Sequence, residues 1–95
     1  VISQKSLGLS FLKKKLMETE TKRERLWKTI VNEFERACVK HPNPFHSRHE
    51  GFAVLLEEVD ELKDAIWHDR SIEEVREEVV QVAAMALRFL LDISK

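Results

Sequence analysis

Glycine and proline are scarce, two of each in 95 residues, and β-branched runs are few. A chain with so few backbone breakers is expected to be all-α. A single cysteine, Cys38, excludes an internal disulfide and a thiol-rich metal site, and it fits a reducing cytoplasm. Neither sign of charge dominates, since 16 Lys and Arg stand against 17 Asp and Glu. That balance leaves no electrostatic footprint for polymeric nucleic acid or for an anionic membrane. The longest apolar stretch, Val79 to Leu91, is too short to span a bilayer and is interrupted by Gln81 and Arg88. Val1–Ser10 has neither the charge nor the apolar block of a secretory signal. No Glu-x-x-His occurs, which removes the usual pattern of a di-iron bundle.

What is present is helical periodicity. The apolar share, 43%, supports one small domain with a single core. Phe11–Glu18 is a short amphipathic stretch, followed by Thr19–Arg25 with no apolar residue. Thr21 and Glu24 offer a cap for a second helix, in which Leu26, Ile30, Phe34 and Cys38 recur every four residues, beside Trp27, Val31 and Ala37, as far as about Val39. Residues 1–20 are thus expected to be an N-terminal extension with a short helix, and 21–95 the main helical domain. His41-Pro42-Asn43-Pro44 stops the second helix, because a residue preceding proline avoids the helical region. Ser47 with Glu50, and Ser71 with Glu74, predict caps for a third helix to about Trp67 and a fourth to about Ile93.

In the third predicted helix Phe52, Leu55, Val59, Leu62 and Ile66 alternate three and four apart, a narrow seam like that of a bundle. The fourth is apolar on two sides, with Val75, Val79, Val82, Ala86 and Ile93 on one and Val80, Ala84, Leu87 and Leu91 on the other. A helix of that kind needs partners on two sides, and in a short chain one of them is expected to be a second subunit. The expected architecture is a helical bundle completed by dimerisation.

Acidic clusters open the chemistry. Glu57-Glu58-Val59-Asp60-Glu61 lies in the third predicted helix and Glu77-Glu78-Val79-Val80-Gln81 in the fourth. Glu58 and Glu61 share one strip with Val54 and Ala65. Glu78, Gln81, Arg88 and Asp92 form the polar line of the next helix, interrupted by Met85. Polar residues at i and i+3 on two facing helices suit a hard divalent ion such as Mg²⁺, which takes oxygen ligands and keeps open positions for phosphate. Spacing alone leaves a second reading open, a solvated face of the sort every amphipathic helix carries.

The span Phe45-His46-Ser47-Arg48-His49-Glu50-Gly51-Phe52, then Leu56-Glu57-Glu58-Val59-Asp60-Glu61-Leu62, resembles the MazG-like branch of the all-α nucleoside triphosphate pyrophosphohydrolases. So does Glu77-Glu78-Val79-Val80-Gln81-Val82-Ala83-Ala84-Met85-Ala86-Leu87-Arg88. The likeness covers about half the chain, Phe45 to Asp92. It implies a helical bundle assembled from two or four chains. It also implies cleavage of a nucleoside triphosphate between the α and β phosphates, with Mg²⁺ or alternatively Mn²⁺, giving the monophosphate and pyrophosphate. The family's metal ligands map onto Glu58, Glu61 and Glu78, with Gln81 at the fourth position. There an amide oxygen can still ligate, but one negative charge is lost, for which Glu57, Asp60 or Glu77 would compensate. Under this reading Glu61 or Glu57 orients or deprotonates the attacking water.

Other residues carry paired readings. Arg88 reaches a triphosphate or packs its stem on the bundle. His46 and His49, at the start of the third helix, contact phosphate or base, or only cap it. Trp67 stacks a base or packs in the core, and Trp27 is expected in the core. Lys13-Lys14-Lys15 reads as an ordinary wet face. Two rival functions stand beside hydrolysis: a nucleotide-binding or sensing module with too weak a metal site for turnover, and a purely structural helical dimer.

Overall fold

The computed structural model describes the backbone of residues 2–94 and the side chains of residues 8, 10–15 and 21–94; Val1, Lys95 and the Glu18 side chain, which closes the first amphipathic stretch, lie outside that set. It consists of α1 (Ile2–Lys40), α2 (Arg48–Trp67) and α3 (Ile72–Ile93). The all-α expectation holds, with no strand among the described residues. No helix among them is long and apolar enough to cross a membrane.

The break expected at Thr19–Arg25 does not form. The helix runs through it, Thr21 lies inside α1 rather than capping it, and the division at residue 20 marks no change in the backbone. The physical reason is propensity. Glu, Lys and Arg are good helix formers, so losing apolar residues there removes a packing partner without stopping the helix.

Where breakers or caps do exist, the chain obeys them. His41 N–H still donates to Ala37 O at 2.8 Å before Pro42 and Pro44 end α1. Ser47 Oγ accepts from Glu50 N–H at 3.1 Å, while the Glu50 carboxylate reaches back to His46 N–H at 3.1 Å. The returning arm therefore lands one residue earlier than in a capping box. Donation from the His46 backbone, then from its ring nitrogen 2.9 Å away, holds the Glu50 carboxyl below the usual range. Ser71 Oγ accepts from Glu74 N–H at 3.2 Å. At the end of α2, Asp69 N–H donates to Ile66 O (3.2 Å) and Arg70 N–H to Ala65 O (3.0 Å). This is the paired closure in which the penultimate residue turns left-handed, and Asp69 does so at φ 51°. Aspartate is among the residues that tolerate that region.

α1 and α2 both pack on α3. The expected seam of α2 is only half correct. Leu55 and Leu62 face inward, but the packed strip is Gly51, Val54, Leu55, Glu58, Leu62 and Ala65, and Phe52, Val59 and Ile66 are exposed. On α3 the line Glu78, Gln81, Met85, Arg88 and Asp92 runs along the innermost face beside buried Ala84. Of its two apolar sides, Val80, Ala84 and Leu87 are covered but Leu91 is exposed, whereas Val75 and Val82 are half-buried and Val79, Ala86 and Ile93 stay open with Leu90.

Both tryptophans depart from the core expectation, Trp27 being 55% exposed and Trp67 71%. Trp27 falls in a part of α1 whose described side chains, 10–15 and 21–29, are all exposed. Trp67 ends α2 facing outward, with the Lys63 ammonium 5.9 Å from its ring centre.

One close approach seats the α1–α2 loop. A Cβ on Gly51 would lie 2.6 Å from Phe89 Cε1 and 3.2 Å from Phe45 Cδ2, and these two rings meet edge to face at 6.0 Å. Gly51→Ala is expected to cost about 1–3 kcal/mol through overpacking. Chemical denaturation of the two proteins checks this, and equal midpoints would show that Phe89 moves aside freely.

Candidate metal centre

The i, i+3 spacing of Glu58 and Glu61 puts both on the edge of α2 that meets α3, and Glu78 enters from the first turns of α3. One carboxylate oxygen from each lies within 4.8 Å of the others. Around an octahedral Mg²⁺, oxygens at roughly 2.1 Å from the ion are about 3.0 Å apart when adjacent and about 4.2 Å when opposite, so the three side chains close in on one another to share one ion.

Electrostatically the cluster is under strain. Glu58 and Glu78 are half-buried and Glu61 is exposed. Burial raises the Glu58 carboxyl above its usual range, and the charges of Glu61, Glu78 and Glu57 push it further. Burial likewise raises Glu78, followed by the charge of Glu61 and its hydrogen bond, with Glu77 adding and Arg70 opposing. Glu78 Oε2 is shielded from solvent and has no hydrogen-bond partner. A buried acceptor without a donor costs on the order of 1–3 kcal/mol, more when charged. A cation among three carboxylates removes that penalty, so the donor set fits a hard divalent ion.

Gln81, expected as the fourth ligand, is held by α1. Its Nε2 donates to Glu33 Oε1 at 2.8 Å, and Glu33 is also paired with Arg36 at 3.0 Å. The acid that meets Gln81 is therefore Glu33, not Glu57, Asp60 or Glu77. Sequence reasoning missed it because Glu33 belongs to no acidic run and its partner lies 48 residues away. Two grooves flank the Glu33–Gln81 bridge. One, about 650 Å³, brings Glu58 and Gln81 together with Arg36, Lys40 and His41. The other, about 590 Å³, is lined by Asn32, Arg76 and Glu77 among others. Of the acids, Glu57 and Asp60 are exposed and line neither groove.

Arg88 is not brought to the acids. It is 7% exposed, and its guanidinium donates to His41 O (2.9 Å) and Asn43 O (2.7 Å) while stacking 4.7 Å from the Phe45 ring centre. Asp92, next on the same line, accepts from Phe45 N–H at 3.1 Å. The lower half of the inner line thus anchors the proline-rich loop, and a direct triphosphate contact by Arg88 is replaced by a structural role. His49 and Trp67 are exposed at opposite ends of α2 and line neither the groove at Glu58 nor the groove at Glu61 and Glu78. His46 is engaged with Glu50.

No family model, curated protein or solved structure matches this chain.

Proposed function

We propose that the chain is a divalent-cation-dependent nucleoside triphosphate pyrophosphohydrolase of the MazG-like kind, acting as a homo-oligomer. The observations that carry this reading are the convergence of Glu58, Glu61 and Glu78 from two helices and a shielded Glu78 oxygen that has no donor. Such an arrangement is costly unless a cation compensates it.

The groove beside the cluster suits a polyphosphate. Glu58 forms part of one wall, and Arg36, Lys40 and His41 supply cationic or hydrogen-bonding groups in the same space. A triphosphate laid there would meet Glu58 through the ion and these donors along its length, while Glu61 and Glu78 line a second groove with Asp64, Arg70 and Glu74. Mg²⁺, when bound, supplies neutralisation of phosphate charge. Glu61 is the exposed member of the three, so it meets solvent water. In this reading it orients that water and takes its proton as oxygen attacks the α phosphorus, the α–β anhydride bond breaks and pyrophosphate leaves. Glu57, exposed beside Glu58, is the other carboxylate able to take that proton.

Self-association is supported by the apolar side chains that α2 and α3 leave open to a partner. Exposed Phe52, Leu56, Val59 and Ile66 on α2, and Val79, Leu90 and Ile93 on α3, are the residues such a partner would bury.

A second reading, a nucleotide-binding or sensing module, is favoured by Gln81 itself, whose neutral amide leaves its position one negative charge short of a carboxylate. A purely structural dimer is the third. Incubation of the purified chain with common and modified nucleotides, with Mg²⁺ or Mn²⁺, separates them. Release of monophosphate and pyrophosphate is the expected result. Calorimetric binding without turnover would select the sensing module, and neither binding nor turnover the structural dimer.

A further inference from the structure

We propose that Glu33 is the fourth carboxylate of the cation site, delivered from α1 through Gln81; the inference rests on the cation reading above. Gln81 follows Glu78 by three residues on the inner face of α3, where a carboxylate would be the simplest ligand. A carboxylate there would stand against Glu33, whose Oε1 is 2.8 Å from the Gln81 amide nitrogen. Two anions at that distance repel. The amide has no such conflict.

The orientation of that amide follows from the partner. An ionised carboxylate only accepts hydrogen bonds, so Gln81 must present Nε2 to Glu33, and its Oε1 remains an acceptor. Glu33 is fixed from two sides, by Gln81 and by Arg36 at 3.0 Å, with its side chain 18% exposed. Glu33, Gln81 and Glu58 line one groove. A negative charge, partly offset by the exposed Arg36 guanidinium, thus lies one hydrogen bond from position 81, on another helix. In this proposal Gln81 offers its oxygen to the cation, while Glu33 orients that amide and supplies the charge. Under this assignment three helices build the site, and cation binding draws α1 onto α3.

The test is Mn²⁺ binding to the full chain, followed by calorimetry and by the electron paramagnetic resonance of free Mn²⁺. The parent, Glu33→Gln and the exchange Glu33→Gln with Gln81→Glu are compared. Glu33→Gln keeps an acceptor for Gln81 but removes the charge. It is expected to weaken Mn²⁺ binding about ten- to hundredfold, as removal of a ligand-orienting carboxylate does, with an unchanged helical circular dichroism spectrum. The exchange variant keeps the hydrogen bond with its ends reversed and returns the charge, so it should recover most of the affinity. It also serves if Glu33→Gln alone folds poorly. Parental affinity in Glu33→Gln overturns the inference while leaving the cation reading intact. An exchange variant that folds but binds no better than Glu33→Gln overturns it as well. A parent chain that binds no Mn²⁺ overturns the cation reading, and Glu33 with it.

Discussion

Replacing Glu78 by glutamine is expected to stabilise the metal-free protein and, at the same time, to remove its divalent-cation response. The parent holds Glu78 Oε2 out of solvent with no donor, beside two further carboxylates within 4.8 Å. Glutamine removes one charge from that cluster and adds two N–H donors that Glu58 and Glu61 can accept. Relief of an unsatisfied buried acceptor is worth about 1–3 kcal/mol. The same change deletes a ligand, and the loss in cation affinity should be about a hundredfold or more, since even outer-shell partners cost that much. A residue kept at the expense of stability is the ordinary signature of a functional site.

The pH dependence follows the same logic. Burial and neighbouring charge raise the Glu58 and Glu78 carboxyls above the usual 4.5. Between 4.5 and those raised values the folded chain binds more protons than the unfolded chain, so stability falls as pH rises through this window. The metal-free parent should therefore melt at higher temperature as pH is lowered from 7 toward 5, and Glu78→Gln should flatten that rise. Glu50 works in the other direction below 4.5, where its lowered carboxyl loses stabilisation as it becomes protonated. Added Mg²⁺ should raise the melting temperature of the parent at pH 7 and leave Glu78→Gln unmoved. Thermal unfolding across this range checks both statements. A Glu78→Gln variant less stable than the metal-free parent would mean that the carboxylate cluster is not strained.

Val59→Asp is expected to abolish self-association. Val59 lies amid an exposed stripe with Phe52, Leu56 and Ile66 on the outer face of α2, at spacings that place them along one side of the helix. Those residues carry the periodicity of a packing seam, yet α3 covers a neighbouring strip instead. A second copy laid on that stripe would bury the aspartate without a partner, at about 3 kcal/mol or more, or over a hundredfold in the dissociation constant. The buried apolar core of the single chain consists of Ala65, Ala84 and Met85 among the described residues. Losing the partner should therefore also lower the melting temperature and make it depend on protein concentration in the parent. Sedimentation at micromolar concentration reads the first effect and dilution series the second. A parent chain that is monomeric and melts cooperatively at every concentration would sink the idea.

Much of this chain was legible because its signals are local. The serine caps at Ser47 and Ser71 act over three residues, and the proline pair after His41 acts on its immediate neighbours. The convergence of Glu58 and Glu61 needs only the pitch of a helix, and Glu78 needs only the next one to face it. The continuity of α1 was misread because absence of apolar residues resembles a linker, although no glycine or proline interrupts that segment. Arg88 carried two readings for a different reason. Its partners, the carbonyls of His41 and Asn43, lie 47 and 45 residues back along the chain, beyond the reach of any periodic pattern.

Composition, caps and breakers by themselves determined that the chain is helical, where two of its helices begin, and that Glu58 and Glu61 share one edge of α2, since each depends on neighbours within one or two turns. Only the tertiary structure decided that the polar line of α3 faces inward, that Glu33 meets Gln81, and that Arg88 anchors a loop. The reason is that a helical pattern fixes which residues share a face but not which neighbour that face meets. That choice is made by how the faces of separate helices fit against one another.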